Sequence, residues 1–242
     1  MASTQKTVIV TGASQGIGAG IVQAFLARGY DVVGTARSAT KSKELSASDH
    51  LALIDGDIGQ FETAQKVAEL AIEKFGSIDA VVANAGIFLV KPFTDYTADD
   101  FDALVLTNLA GFIYITQLAV KQMQAQKTGG SIVSISAALV DNPIAGVTAS
   151  LSMITKGGLN AVTRSLAMEY AKEHIRFNAV APGVVDSPLH AKDSEDSLKT
   201  LSPMGSISSV EDIAGAVVYL TEARQITGEV LHVDSGAHVG KW

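Results

Sequence analysis

Short apolar segments rich in Val, Ile and Ala alternate along the chain with longer segments in which apolar residues recur at helical spacing. An apolar segment of roughly four to eight residues, bounded by turn-forming residues, is typical of a buried strand. The pattern predicts strands at residues 7–12, 31–36, 50–57, 79–86, 130–136, 176–183 and 228–236.

Helical periodicity fills most of the intervals between these strands. It predicts helices at 15–29, 60–75, 98–126, 150–172 and 209–222. Strands that are apolar on both faces need helices on both sides, so the alternation predicts an α/β fold. We expect one doubly wound domain over 1–242, with a parallel seven-stranded sheet and helices on both faces.

The segment 186–208 departs from this alternation because it is polar, rich in Ser and interrupted by Pro. It follows the sixth predicted strand, and ligands of open α/β sheets bind beyond the carboxyl ends of the strands. We therefore expect the segment to form a lid over a substrate. An ordinary surface loop is the alternative.

Composition narrows the classes of function. The chain has 47% hydrophobic and 18% charged residues, which is typical of a globular protein, and it has no cysteine, which excludes disulfides and thiol catalysis. The five histidines lie far apart, so we expect no metal site. A net charge of −7 without a basic cluster argues against nucleic acid as a partner. Without a long apolar run or a signal-like N-terminus, we expect no membrane partner and a cytoplasmic location.

The first candidate site is the turn between the first predicted strand and helix, which reads TGASQGIG over residues 11–18. Glycine lets the backbone turn sharply and approach a pyrophosphate, whose charge then meets the helix N-terminus. A glycine-rich turn is a weak signal alone. Its position after a strand, before a helix and near the chain start makes dinucleotide binding the stronger interpretation, with a ligand-free tight turn as the alternative.

The spacing of Gly12, Gly16 and Gly18 resembles the T-G-x-x-x-G-x-G of the short-chain dehydrogenase/reductase family. Further segments resemble that family in the same order along nearly the whole chain: NAG at 84–86, Asp57, Asn108 in LTNLAG, Lys156, APG at 181–183 followed by Ser187, and HVDSG at 232–236. The resemblance implies a single-domain Rossmann fold, a nicotinamide cofactor and a small carbonyl or alcohol substrate.

The resemblance also implies which residues hold the cofactor. They belong to the glycine-rich turn, to the ends of the second, third and fourth strands, to the fifth predicted helix and to the segment after the sixth strand: Gly12, Ser14, Gln15, Gly16, Ile17, Gly18, Arg37, Ser38, Asp57, Ile58, Asn84, Ala85, Gly86, Lys156, Pro182, Gly183, Val185 and Ser187.

The end of the second strand bears on the choice of cofactor. NAD-preferring members of the family carry an acidic residue there, which binds the ribose hydroxyls. This chain has Ala36 followed by Arg37. A guanidinium binds a 2′-phosphate through paired, charge-assisted hydrogen bonds. We therefore expect NADP(H) to be preferred over NAD(H), with a solvated arginine as the alternative.

The catalytic segment departs from the family pattern. The family has a tyrosine four residues before the lysine, which places both side chains on one face of a helix. Here Ser152 stands four residues before Lys156. Alignment of the strand places the family's strand-end serine on Ala137, with Ser136 one residue earlier. Counting the family's usual thirteen residues back from Ser152 instead places it on Leu139. The candidate catalytic residues are Asn108, Ser136, Ser152 and Lys156.

Two functions are compatible with an intact cofactor site and an altered proton-transfer site. The first is an NADP(H)-dependent oxidoreductase in which Ser152 or Ser136 polarises the substrate and a water supplies the proton. The second is a catalytically silent NADP(H)-binding protein, either a structural subunit or a cofactor sensor.

The resemblance further implies a homotetramer or homodimer built on the two long helices at 98–126 and 150–172. We expect the apolar residues of these helices to supply the contact face, and the C-terminal Trp242 to add a second contact. The proposed positions are Leu104, Phe112, Ile115, Leu159, Val162 and Leu166.

Overall fold

A computed structural model describes residues 5–191 and 193–240 of the chain. Trp242, predicted to make an intersubunit contact, lies outside the described residues. The strands form one parallel sheet in the order β3-β2-β1-β4-β5-β6-β7, as the alternation of apolar segments predicts. The strands are β1 (Thr7–Thr11), β2 (Asp31–Ala36), β3 (Leu51–Asp55), β4 (Ala80–Ala83), β5 (Gly130–Ile135), β6 (Ile175–Pro182) and β7 (Val230–Val233).

Helices cover both faces of this sheet. Helices α1 and α7 pack on one face, and α2, α4 and α5 pack on the other. The strand order reverses between β1 and β4, so the crevice at the carboxyl ends of these two strands is the expected ligand site. The helices are α1 (Gly16–Leu26), α2 (Phe61–Phe75), α3 (Ala98–Leu104), α4 (Gly111–Gln126), α5 (Ser150–Glu169), α6 (Glu195–Lys199) and α7 (Val210–Glu222).

The predicted helix at 98–126 is two α-helices joined by a π-helical segment at Val105–Ala110. Its N-terminus is fixed by a capping box in which Thr97 accepts from the Asp100 N–H and Asp100 accepts from the Thr97 N–H. A π-helical turn within an α-helix often marks a functional site. Here the turn carries Asn108, which is buried.

The helical stretch Ala98–Gln126 is long and apolar enough, by length and composition alone, to cross a membrane. One face of it packs against the sheet, which accounts for only part of this apolar character. A helix that is apolar on more than its sheet-facing side usually has a second surface to cover.

The structure corrects the positions proposed for that second surface. Four of the six predicted contact residues face the protein's own core: Leu104, Phe112, Ile115 and Leu159. Helical spacing alone does not show which of two apolar faces meets the sheet. The apolar side chains that these helices leave exposed are Phe101, Leu106, Ile113, Ile154 and Met168.

Residues 186–208 contain one turn of 3-10 helix at Pro188–His190 and the short helix α6. The segment is pinned at both ends, because the N–H of Asp186 donates to Ser208 O at 2.9 Å and the N–H of Ser208 donates to Val184 O at 3.0 Å. The two ends of the segment therefore lie next to each other, and its role as a lid stays a prediction.

Candidate functional site

The glycine-rich turn lies where β1 ends and α1 begins. Gly12 has φ +66°, a conformation that favours glycine. Gly18 packs so tightly against this turn that a Cβ on it would lie 2.1 Å from Gly12 O. The Asn84 amide at the end of β4 donates to Thr11 O at 2.9 Å and to Gly12 O at 3.1 Å, and so fixes the turn against the neighbouring strand.

The N-terminus of α1 lies at the carboxyl edge of the sheet. Gln15, the N-cap residue, is extended and makes no side-chain cap, and the first turn contains no acidic residue. Ser14, Gly16 and Ile17 line the same turn and are half-buried. The backbone N–H groups of the first helical turn, together with the helix dipole, make this end of α1 suited to bind a phosphate.

A carboxylate from the segment after β2 lies at this helix end. The Gly16 N–H points at Glu44 Oε1 over a long 3.4 Å. Ser42 holds the segment there, since its hydroxyl donates to Ser14 O at 2.7 Å and accepts the N–H of Glu44 at 3.1 Å. Glu44 therefore puts negative charge where a pyrophosphate would bind.

We expect Glu44→Gln to bind NADPH about two- to fivefold more tightly than the wild type, the size of one charge near a helix terminus. Fluorescence titration at low salt measures the affinities. Glu69→Gln, on the exposed side of α2, is the matched control and should leave affinity unchanged. An unchanged affinity in Glu44→Gln would contradict this expectation and would show that the Glu44 carboxylate does not oppose the binding of NADPH.

The end of β2 places Ala36, Arg37 and Ser38 beside the glycine-rich turn. Both Arg37 and Ser38 are exposed, and the Arg37 guanidinium forms no hydrogen bond or ion pair with any residue in the described ranges. The carboxylate across from Ala36 is Asp55, whose pKa is lowered by the N–H and the hydroxyl of Thr40, at 2.8 and 2.7 Å. The Asp55 carboxylate is thus bonded to Thr40 and does not pair with Arg37. The Arg37 guanidinium is therefore available to bind an anion.

The end of β3 contributes Asp57 and Ile58. Asp57 is exposed, and one of its oxygens accepts the Gly59 N–H at 2.9 Å. Ile58 is buried in the core against Gly111 of α4. Asp57 therefore lies at the rim of the crevice, and Ile58 anchors that rim to the core.

The segment after β6 closes the opposite side of the crevice. The Gly183 N–H donates to Val233 O at 3.0 Å, which ties the buried Pro182 and its neighbour to β7. Val185 is buried and bridges to Ser208. Ser187 and Pro188 then cross to the glycine-rich turn, where a Cβ on Gly16 would lie 3.1 Å from Pro188 Cδ. The segment after β6 thus lies against the glycine-rich turn.

Lys156 lies in the centre of this edge of the sheet. Its Nζ donates to Ile135 O at 2.7 Å, and burial lowers the pKa of its ammonium to about 8. A Cβ on Gly86 would lie 3.0 Å from this Nζ and 3.3 Å from Asn108 Oδ1. Because Gly86 lacks a side chain, the ammonium and the amide can both lie close to the backbone that follows β4.

Asn108 fixes the segment that follows β4. Its Oδ1 accepts the Ile87 N–H at 2.8 Å, and its Nδ2 donates to Ile87 O at 3.0 Å and to Thr155 Oγ1 at 2.9 Å. Asn108 therefore links the segment after β4 to helix α5, one residue from Lys156.

Ser152 extends the same linkage by one helical turn. It is fully buried, and its hydroxyl accepts the Leu89 N–H at 2.8 Å and donates to Leu89 O at 3.1 Å. The backbone of Leu89 thus occupies the position in front of residue 152. This geometry favours an anchoring role for Ser152 over the predicted polarising role.

Ser136 is also buried, and its hydroxyl donates to Lys156 O at 3.3 Å. Ala137, which follows it, carries no hydroxyl. Polarisation of a substrate by Ser136 would require this bond to the helix backbone to break.

One residue near this site has no signal in the sequence. The phenol of Tyr96 donates to Leu89 O at 2.8 Å, the oxygen that also accepts from Ser152. Tyr96 is separated from Lys156 by 60 positions, so no short spacing reveals the pair. Tyr114 and Tyr170 have packing roles, because Tyr114 contacts Phe61 edge-on and Tyr170, at the far end of α5, lies on Phe177.

Comparisons with known proteins agree with this arrangement. A short-chain dehydrogenase family model, described as enoyl-(acyl carrier protein) reductase, matches residues 12–238. The chain belongs to the short-chain dehydrogenase/reductase family. It is 33% identical to an L-rhamnose 1-dehydrogenase (NAD(P)(+)) of Sphingomonas sp., over 97% of this chain and 96% of that protein. The family and the Rossmann fold expected from the sequence are thereby confirmed.

Solved structures of the family superpose closely on the chain. ElxO with NADP bound matches with a TM-score of 0.91 and 29% identity over 98% of this chain and all of that one. A 3-ketoacyl-(acyl-carrier-protein) reductase of Brucella melitensis, complexed with NADH, matches with a TM-score of 0.90 and 27% identity over the same shares. Both of these relatives hold a nicotinamide cofactor, one with and one without the 2′-phosphate.

Proposed function

We propose that the protein is an NADP(H)-dependent oxidoreductase that acts on a small carbonyl or alcohol. The observation that carries the proposal is the crevice between β1 and β4. The N-terminus of α1, a turn with no room for a side chain at Gly12 or Gly18, and Lys156 close to Gly86 lie along one edge of the sheet. Their order along the crevice fits an extended dinucleotide, and the named relatives with this fold act on or bind such cofactors.

In this proposal each group of residues along the crevice binds a different part of the cofactor. The N-terminus of α1 binds the pyrophosphate, Arg37 binds the 2′-phosphate, and Asp57 lies at the adenine end. Lys156 binds the ribose next to the nicotinamide, with Asn108 holding the adjoining backbone. The bound cofactor supplies or accepts the hydride.

The preference for NADP(H) depends on Arg37. We expect NADPH to bind more tightly than NADH, and Arg37→Ala to remove most of that difference, because losing a charge-assisted hydrogen bond costs about 1.5–3 kcal/mol. Fluorescence titration with each cofactor measures the effect. Lys41→Ala, a nearby exposed cation on the same segment, is the control. Equal affinities of the wild type for both cofactors would contradict this assignment.

A second function is favoured by the environment of Ser152. Its hydroxyl is bonded twice to the Leu89 backbone, and neither Ala137 nor Leu139, the two positions that align with the family's serine, carries a hydroxyl. A protein that binds NADP(H) without turnover, as a structural subunit or a sensor, fits these two features.

Turnover distinguishes the two functions, because both require cofactor binding. NADP⁺ reduction is measured with L-rhamnose and other small alcohols, and NADPH oxidation with a 3-ketoacyl thioester and simple ketones, probes chosen from the names of the relatives. The oxidoreductase proposal expects one of these reactions to proceed. Tight NADPH binding without any reaction would instead support the catalytically silent NADP(H)-binding protein.

We also propose that the protein assembles through α3, α4 and α5 as a homodimer or homotetramer. Ile154, on α5, is 55% exposed, and Leu106 and Ile113, on the neighbouring helical stretch, are each 43% exposed. We expect light scattering at micromolar concentration to show an oligomer, and Ile154→Asp to dissociate it, because a buried unpaired charge is costly. Ile72→Asp on α2 is the control, since Ile72 is exposed on a different helix. A monomeric wild type would contradict the proposal.

A further inference from the structure

The hydroxyl groups closest to Lys156 are all engaged with the backbone or with one another. Ser136 donates to Lys156 O, and Ser152 donates to Leu89 O. Thr155 donates to Ser152 O at 3.0 Å and accepts from Asn108 at 2.9 Å. These hydroxyls are aliphatic alcohols, which are very weak acids. None of them is suited to give a proton to a substrate oxygen.

A stronger acid reaches the same place from another part of the chain. The Tyr96 phenol donates to Leu89 O at 2.8 Å, and Ser152 donates to that oxygen at 3.1 Å. The two hydroxyls are therefore neighbours on one carbonyl oxygen. Tyr96 is half-buried, whereas Ser152 is fully buried. Of the two residues, Tyr96 is therefore the one that is partly exposed.

The surroundings of Tyr96 hold the phenol in place. The capping box between Thr97 and Asp100 begins directly after it. Asp100 also binds Lys91 Nζ at 2.6 Å, and the Lys91 N–H donates to Thr148 O at 2.8 Å. The segment from β4 to α3 is therefore fixed on both sides of the phenol. The backbone that carries the phenol is therefore preorganised, and the bond from the phenol to Leu89 O is the one that must break for the phenol to meet a substrate.

We propose that Tyr96 is the catalytic proton donor of this site, which rests on the proposed oxidoreductase function. In the reducing direction bound NADPH would supply a hydride that forms a C–H bond at the carbonyl carbon, leaving NADP⁺, and the electron pair of the C=O π bond would move to the oxygen and take up a proton. The phenol O–H breaks, its proton passes to the carbonyl oxygen, and the alcohol forms. Water then returns a proton to the phenolate. In the oxidising direction each transfer reverses.

The site thereby replaces a tyrosine on helix α5 with one on the segment between β4 and α3. Ser152 has a different role, because its two hydrogen bonds to Leu89 hold the peptide whose carbonyl oxygen accepts the phenol O–H. In this arrangement Ser152 is a positioning residue.

The test compares Tyr96→Phe with two other variants in the full chain. Tyr219→Phe is the matched control, because Tyr219 is exposed on α7, away from the crevice. Ser152→Ala loosens the same Leu89 peptide but leaves the phenol in place. For each variant kcat is measured with the substrate that the wild type turns over, together with NADPH affinity by fluorescence titration.

We expect Tyr96→Phe to lower kcat by about 100-fold, the low end for general acid catalysis, with NADPH affinity unchanged. Ser152→Ala should lower kcat by less than tenfold, and Tyr219→Phe should match the wild type. An equal loss in Tyr96→Phe and Ser152→Ala would overturn the proposal, since the phenol would then act only by holding the loop. A Tyr96→Phe protein with the kcat of the wild type would also overturn the proposal. A wild type that binds NADPH but turns over none of the probes removes the oxidoreductase function, and the role of Tyr96 with it.

Discussion

The Lys156→Met variant is expected to be more stable than the wild type at pH 7 and to have lost its activity. Lys156 is fully buried, and burial lowers the pKa of its ammonium from 10.5 to about 8. A shift of this size corresponds to about 3 kcal/mol of unfolding free energy at neutral pH. The variant also loses the hydrogen bond from Lys156 Nζ to Ile135 O. Leaving this carbonyl without its donor destabilises the folded variant by about 1 kcal/mol, which offsets part of the gain. The expected net gain is about 2 kcal/mol.

The gain should depend on pH in a defined direction. At pH 7 the ammonium is charged in both the folded and the unfolded chain, so the folded wild type carries the full cost of burial. Between pH 8 and 10.5 the folded protein releases the proton while the unfolded chain keeps it, and the stability of the wild type rises. The advantage of Lys156→Met should therefore be largest at pH 7 and shrink as the pH approaches 10.5.

Urea unfolding of the cofactor-free proteins at pH 7 and pH 9.5 measures this difference, and comparison at equal pH cancels the titration of other groups. A variant less stable than the wild type at pH 7 would show that hydrogen bonds outweigh the cost of burying the charge. A buried cation retained at such a cost indicates a functional requirement, since active sites often sacrifice stability. The same variant should bind NADPH more weakly and show no turnover.

Much of the fold follows from the sequence, because strands that are buried on both faces leave a continuous apolar pattern. The segments around Val8, Val81 and Ile132 contain few polar residues and lie in the centre of the sheet. The glycine-rich turn was equally predictable, since Gly12 requires a positive φ and Gly18 a close approach. These features depend on backbone geometry and local order, which leave a periodic or spaced signal.

The side-chain partners of the candidate catalytic site could not be predicted in this way. Tyr96 and Ser152 meet on Leu89 only because the segment after β4 folds against α5, and no local spacing encodes that contact. Glu44 reaches the end of α1 from 28 positions away for the same reason. The long helices gave a third case, because Phe112 and Ile113 are both apolar but only Ile113 faces outwards.

The Gly18→Ala variant should lose both cofactor binding and a large part of its stability. A Cβ on Gly18 would lie 2.1 Å from Gly12 O and 2.7 Å from Asn84 Nδ2. Neither neighbour can move easily, because one is a backbone oxygen and the other is a hydrogen-bonded amide. The first turn of α1 must therefore move away from β1. Overpacking of this kind costs about 1–3 kcal/mol, and occasionally more.

The same displacement should weaken NADPH binding by at least about tenfold, since a shift of about 1 Å in the helix N-terminus separates its N–H groups from the pyrophosphate. Gly215→Ala is the matched control, because Gly215 lies in helix α7 with no atom within 4 Å of the added Cβ. Alanine is the better helix former, so this control should gain about 0.5–1 kcal/mol and bind NADPH like the wild type. Thermal unfolding and fluorescence titration on both proteins decide the matter. If Gly18→Ala binds NADPH normally, the glycine-rich turn is not the site that holds the pyrophosphate, and the proposed placement of the cofactor along the β1–β4 crevice is wrong.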